Sequence, residues 1–262
     1  MQRYMKWLDS KTTNGIAKVG GFGDWVNLGD PMSQDLIDTA YRAELLRMMT
    51  EMAMVIGKSD DAHAYDAARN ETVAAFRARF LAEDGSLRES GQTGYALAFT
   101  MGLIPRERMG DAAKHYAAAI ERKNWHLATG FIGTPRLLTG LHQANRDDVA
   151  HRLLFNDDYP SWLYQVKLGA TTMWERWDGW TPERGFQDVG MNSFNHYAFG
   201  AVGDYMFGDI AGIRPLEPGF ARVRIAPVVE RGMSEGKAFD HVSAKYRSIA
   251  GTIESSWKWV DG

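Results

Sequence analysis

Hydrophobic positions recur at helical spacing along most of this chain and change to strict alternation only near its end. From Ser33 to Gly57, Ile37, Tyr41, Leu45, Met48, Met52 and Val55 mark one face, which Leu36, Ala40 and Met49 widen. A stripe that broad predicts a helix packed on more than one side, with Ser33 as its N-cap and Gly57 ending it. Residues 1–10 predict a short helix. Tyr65, Thr72, Val73, Phe76 and Phe80 mark a second long one, closed by Asp84-Gly85. Shorter helices follow from Ser90 to Leu103, from Pro105 through Ile120, from Thr134-Pro135, and from Asp147 to Phe155. Their brief connections predict antiparallel hairpins, with no strand pattern before about residue 215. Phe194, Tyr197, Ala198, Ala201, Val202 and Tyr205 predict one more helix, with His196 off its apolar stripe beside Asn192 and Asn195. After Pro215 the period becomes two in Arg222–Pro227, Val242–Tyr246 and Thr252–Ser255. Two or three strands are marginal alone, so this segment must pack on the helices or lack its remainder.

Composition changes the picture mainly by exclusion. At 262 residues the chain has length for one large domain or a domain with an appendage. A net charge of −3 with no basic run argues against nucleic acid or an acidic membrane surface as partner. The absence of cysteine removes disulfides, thiolate metal sites and thiol nucleophiles. The seven histidines are scattered, so neither a metal site nor a cofactor is expected. Nothing approaches the roughly 20 apolar residues that span a bilayer, and the N-terminal residues lack a signal-peptide core. The chain as it stands is expected to be cytoplasmic. The thirteen methionines, four of them in the helix after Ser33, read as core filler.

Chemistry concentrates in Ala170-Thr171-Thr172-Met173-Trp174-Glu175-Arg176-Trp177-Asp178-Gly179-Trp180. Four of the nine tryptophans fall between Trp162 and Trp180, and Glu175 stands between two of them. Two readings stand open. Indole plates beside a carboxylate suit a sugar site, where rings stack and the acid handles a proton; the same residues also make a buried tryptophan cluster with a Glu–Arg ion pair. Gly20-Gly21-Phe22-Gly23-Asp24-Trp25 lacks the spacing of a phosphate cradle. It reads either as a turn or as a second Asp–Trp pair, Asp24 and Trp25, lining the same cavity as Glu175. His196, beside two amides, is a candidate for a polar cavity.

Taken together, these motifs resemble the C-terminal part of the bacterial α-L-rhamnosidases of glycoside hydrolase family 78. The matching pieces are Gly23-Asp24-Trp25, the helix from Ser33, Gly169 through Asp178, Met191 through Tyr197, and Gly219 through Pro227, in that order over nearly the whole chain. The resemblance implies a mainly α protein: an (α/α)6 six-hairpin toroid over residues 1–214, incomplete at its N-terminus, and the start of a β-sandwich over 215–262. It implies inverting hydrolysis of terminal α-L-rhamnosides, with Glu175 as general base, His196 contacting the sugar and Trp25 stacking on it. Asp24, Trp174 and Asn195 are taken with them as substrate-binding candidates, and the partner expected is a rhamnose-containing glycoside or oligosaccharide.

The departure is a general acid. In the family it lies in a stretch of the type Asp-Cys-Pro…Glu-Arg…Gly-Trp-Thr-Gly-Asp, and no such stretch occurs here. The expectation is therefore a fragment supplying the base alone, with open apolar helix faces that await the missing N-terminal part or another chain. Asp24 and Asp30 are the acids to consider if the chain turns over by itself. A non-catalytic sugar-binding protein, or another six-hairpin glycosidase or lyase, remains the alternative.

Overall fold

In the computed structural model, residues 1–229 and 238–260 are described. They form two compact units: residues 1–122 with 128–144, and residues 123–127 with 145–262.

The first unit is helical. Helix α1 (Gln2–Ser10) is followed by a hairpin of two-residue strands, β1 (Thr12–Thr13) and β2 (Ile16–Ala17). Helices α2 (Gln34–Val55) and α3 (Ser59–Phe80) then pack against each other as the main hairpin. Ser33 is the N-cap residue of α2 by its extended backbone, although its side chain makes no capping bond. Past the end of α2, Gly57 takes a φ of 70°, the Lys58 N–H reaches the Ala53 carbonyl and the Gly57 N–H that of Met54. Those paired bonds close the helix where glycine alone avoids strain.

The buried side of α2 differs from the predicted stripe. Leu36, Ile37, Ala40, Ala43, Leu46, Met49 and Ala53 are buried, whereas Met48, Met52 and Val55 are exposed. Helix α1 and the start of α3 meet α2 through Met5, Leu8, Leu46 and Met49, with Tyr65 beside them, which turns the outer methionines away from the core. Helices α4 (Gln92–Thr100), α5 (Met109–Glu121) and α6 (Thr134–Gln143) complete the unit, α4 against α6 above all. Gln92 through Phe99 are all buried, so α4 is its central helix.

The second unit opens with α7 (Asp147–Phe155) and α8 (Trp162–Lys167), the latter capped by the Ser161 hydroxyl, which accepts the Tyr164 N–H at 3.1 Å. Short strands β3 (Trp180–Thr181) and β4 (Gly185–Phe186) form a second small hairpin, so strand pairs occur well before residue 215. Two-residue strands leave no alternation in the sequence to detect. The predicted helix through Asn192 and His196 is not formed. Residues 192–197 are irregular and sit between a 3₁₀ turn at Val189–Met191 and another at Ala198–Ala201, after which α9 (Val202–Tyr205) runs into a π turn at Met206–Ile210. Tyr197, placed on the apolar stripe by its spacing, is 88% exposed.

Strands β5 (Ile213–Pro215) and β6 (Val223–Ile225) pair antiparallel, as do β7 (His241–Ser248) and β8 (Gly251–Lys258). Neither ribbon stands by itself. The Ser255 hydroxyl donates to the Ala211 carbonyl at 2.7 Å and the Trp257 indole to that of Ile210 at 3.2 Å, while Tyr246 packs on Phe220. No helix among the described residues is long and apolar enough to cross a membrane.

Candidate functional site

Glu175 lies in an irregular segment held against residues 193–196 by the backbone. Its N–H donates to the Ser193 carbonyl at 2.9 Å, and its carboxylate Oε2 accepts the Ser193 N–H at 2.8 Å. Two residues away the His196 N–H donates to the Met173 carbonyl at 2.8 Å, and the Thr172 hydroxyl donates to the Phe194 carbonyl. These bonds bring the Trp-Glu and Asn-His segments together, although they lie about twenty residues apart. Glu175 is half-buried. Oε1 accepts no hydrogen bond from the described residues. A carboxylate with one oxygen fixed and the other open to a ligand is oriented without being consumed.

The His196 ring stacks on Tyr197, with centroids 5.3 Å apart and planes 11° apart, and its Nδ1 accepts the Ala198 N–H at 3.3 Å. That acceptor role puts the proton of the neutral ring on Nε2. The Asn195 N–H donates to the Ser193 hydroxyl at 3.2 Å, and the Asn195 side chain is exposed beside His196.

The loop after Glu175 is tied down residue by residue. The Gln165 side chain donates to the Arg176 carbonyl at 2.8 Å. Asp178 receives Arg184 at 2.8 Å, Gln187 at 2.6 Å and Arg176 at 3.3 Å. Burial pushes the Asp178 carboxyl up, but the Arg184 hydrogen bond, the Arg176 charge and the Gln187 amide outweigh it and hold it below the usual carboxylate range. Arg176 therefore pairs with Asp178, and the Glu–Arg ion pair of the second reading is not formed among the described residues.

The tryptophans correct the picture of open plates. Trp177 is 1% exposed and stacked on Phe199 at 4.1 Å, with the edge of Trp162 at 5.4 Å, and the Trp162 indole donates to the Phe199 carbonyl. Trp174 is 6% exposed and meets Phe194 edge-on at 5.0 Å. Each ring keeps its apolar area from water by packing on other aromatic rings instead of presenting a face, so Trp174 is a packing residue here.

In the first unit the Asp24 carboxylate is fully engaged. Oδ2 accepts the Thr93 hydroxyl and the Gly130 N–H at 2.7 Å; Oδ1 accepts the N–H groups of Ile132 at 2.7 Å and Gly133 at 3.1 Å. With four donors and 7% exposure, Asp24 pins the entry to α6 and has no oxygen left for a ligand. Asp30 is engaged on one oxygen: its Oδ2 accepts the Gln92 N–H at 2.6 Å, a carboxylate at the start of α4. Trp25 contrasts with both. It is 46% exposed, edge-on to the exposed Phe22 at 5.4 Å, and anchored by its carbonyl, which accepts the Phe131 N–H at 2.9 Å. An added Cβ on Gly130 would sit 2.1 Å from that carbonyl oxygen, so glycine is required there. Next to it Val26 is held at φ 63°, a strained setting for a β-branched residue.

Among the described residues no group of three or more His, Asp or Glu is placed to hold a metal ion. The contribution of Ser193 is not legible in the sequence, because it acts through its peptide group, which no residue type advertises. The Asn192 side chain donates to the Gly179 carbonyl at 2.9 Å.

Two family models match this chain: the bacterial alpha-L-rhamnosidase 6 hairpin glycosidase domain over residues 1–210, and the bacterial alpha-L-rhamnosidase C-terminal domain over residues 212–262. An alpha-L-rhamnosidase of Streptomyces avermitilis is 39% identical over 259 residues, covering 99% of this chain and 24% of that protein. One from Alteromonas sp. is 34% identical, covering 98% of this chain and 29% of the relative. The crystal structure of the Streptomyces avermitilis enzyme complexed with L-rhamnose superposes with a TM-score of 0.91 and 38% identity, over 100% of this chain and 25% of that one. The fold is thus that of a six-hairpin glycosidase domain, mainly α with a small β segment. The chain spans about a quarter of the length of these relatives.

Proposed function

This chain belongs to the bacterial α-L-rhamnosidase family, and on that premise we propose that it serves, within a longer polypeptide, the inverting hydrolysis of terminal α-L-rhamnosides. Residues 1–214 belong in this reading to the catalytic helical domain, and 215–262 begin the β domain. Glu175 is the general base. The observation that carries this role is its carboxylate geometry: one oxygen held by the Ser193 N–H, the other without a partner among the described residues. That oxygen takes the proton of the water attacking the anomeric carbon as the glycosidic bond breaks. His196 and Asn195 contact the sugar hydroxyls, and the exposed Trp25 ring stacks on an apolar sugar face.

Inversion needs a second carboxyl roughly 6.5–9.5 Å from the base, to protonate the leaving oxygen while leaving room for the water. Asp24 is a poor candidate, since both of its oxygens already hold donors; Asp30 holds a single N–H, that of Gln92 at the start of α4. We place the acid in polypeptide outside these residues, because the family's acidic stretch does not occur in this sequence. The same observation favours a second reading for the chain by itself: rhamnose binding without turnover.

Titration calorimetry with L-rhamnose tests the sugar wall. His196→Ala and Trp25→Ala are each expected to weaken binding by about 1–3 kcal/mol, the range for losing a buried polar partner or a stacked ring. Binding unchanged in both variants would remove these residues from the site, whatever the role of Glu175.

A further inference from the structure

Asn192 directly follows the 3₁₀ turn Val189–Met191 and directly precedes Ser193, so its carbonyl and the Ser193 N–H belong to one planar peptide group. That N–H grips Glu175 Oε2 at 2.8 Å. The Asn192 side chain reaches the other way, its Nδ2 donating to the Gly179 carbonyl at 2.9 Å, four residues beyond Glu175. The same carbonyl accepts the Gln187 N–H at 3.0 Å, so both of its lone pairs are used. The asparagine amide oxygen, in contrast, is buried with no hydrogen-bond partner among the described residues. A buried acceptor left unpaired is costly, and an apolar side chain would fill the space without that penalty. The donor bond is what a polar residue adds here.

We propose that Asn192 is a positioning residue for Glu175: its amide latches the loop that leaves Glu175 at Gly179 to the peptide whose N–H aims the carboxylate. The assignment rests on the reading of Glu175 as the base. Gly179 is the other half of the latch. A Cβ built there would lie 2.7 Å from Asn192 Oδ1, and the Gly179 backbone lies outside the left-handed region, so Gly179→Ala pushes on the asparagine without straining its own φ. Asn192→Asp keeps the shape but sets an oxygen against the Gly179 carbonyl.

The test is carried out on this chain by amide NMR. In the wild type the Ser193 amide proton shifts with pH as the carboxylate it holds is protonated, and Glu175→Gln abolishes that shift. In Asn192→Asp and in Gly179→Ala the pH-dependent shift of Ser193 is expected to fall by at least about half, and its hydrogen exchange to rise about tenfold, the loss of one net hydrogen bond. The double variant is expected to resemble either single one, because both break one latch. A full-amplitude titrating Ser193 amide in either folded variant, or additive effects in the double, would overturn the proposal. So would an amide indifferent to Glu175→Gln. Hydrolysis of a chromogenic α-L-rhamnoside by Glu175→Gln, measured in a chimera where this chain replaces the matching segment of the longer Streptomyces avermitilis relative, judges the base role separately: undiminished turnover there removes the base while leaving the NMR result to decide the latch.

Discussion

Asp24 and Glu175 carry the same functional group in two different states of use. All the accepting capacity of Asp24 that the chain fills is spent on four donors, three of them backbone N–H groups around the start of α6. Asp24→Ala would strand those donors in a buried site. A loss of at least about 2 kcal/mol of stability is expected, read from the urea midpoint; a variant as stable as the wild type would show that the hub is dispensable. Glu175 is half-buried and bound on one oxygen. In the sequence both were acids next to tryptophan, and nothing in residue type separates them. What separates them is the direction of distant N–H groups: Ile132 and Gly133 lie more than a hundred residues from Asp24. Trp174 fails for a related reason, since an indole next to a candidate base is as useful for excluding water behind it as for stacking on a sugar.

Helices were legible where punctuation and period agreed. Ser33 and Gly57 bound α2, and Asp147 and Phe155 bound α7, as their caps and spacing predict. The segment from Asn192 to Tyr197 shows the limit, because apolar residues at helical spacing do not form a helix when backbone N–H groups find other partners. The Glu175–Ser193 and His196–Met173 bonds take them. Helix α7 also carries a buried histidine. His151 is 2% exposed, its Nε2 has no hydrogen-bond partner among the described residues, and the Phe239 and Tyr205 rings pack edge-on against it. Burial pushes its pKa down, only partly opposed by Asp147 and Asp148 on the same helix. A histidine kept neutral by folding adds stability that is complete above its unfolded pKa of about 6.5 and declines as pH falls below it. His151→Leu is therefore expected to show a smaller drop in Tm between pH 7.5 and pH 5 than the wild type. An equal drop would place the acid sensitivity elsewhere.

For the molecule as a whole, the change of period near residue 215 and the ordered motifs identified the architecture, while the course of individual faces did not follow from spacing. Met48, Met52, Val55 and Ile56 line an open apolar groove of about 800 Å³ on the first unit, the kind of uncovered face expected of helices that belong to a larger assembly. The relatives are about four times as long as this chain. Whether Glu175 is the base for water is accordingly decided in a complete active site. A chimera in which this chain replaces the matching segment of the Streptomyces avermitilis enzyme supplies one, and its hydrolysis of a chromogenic α-L-rhamnoside is measured with and without Glu175→Gln. The chimera is expected to be active, and its kcat to fall by about three orders of magnitude or more in the variant, with the fold unchanged. A fall of less than about tenfold would contradict the base role and take it from Glu175.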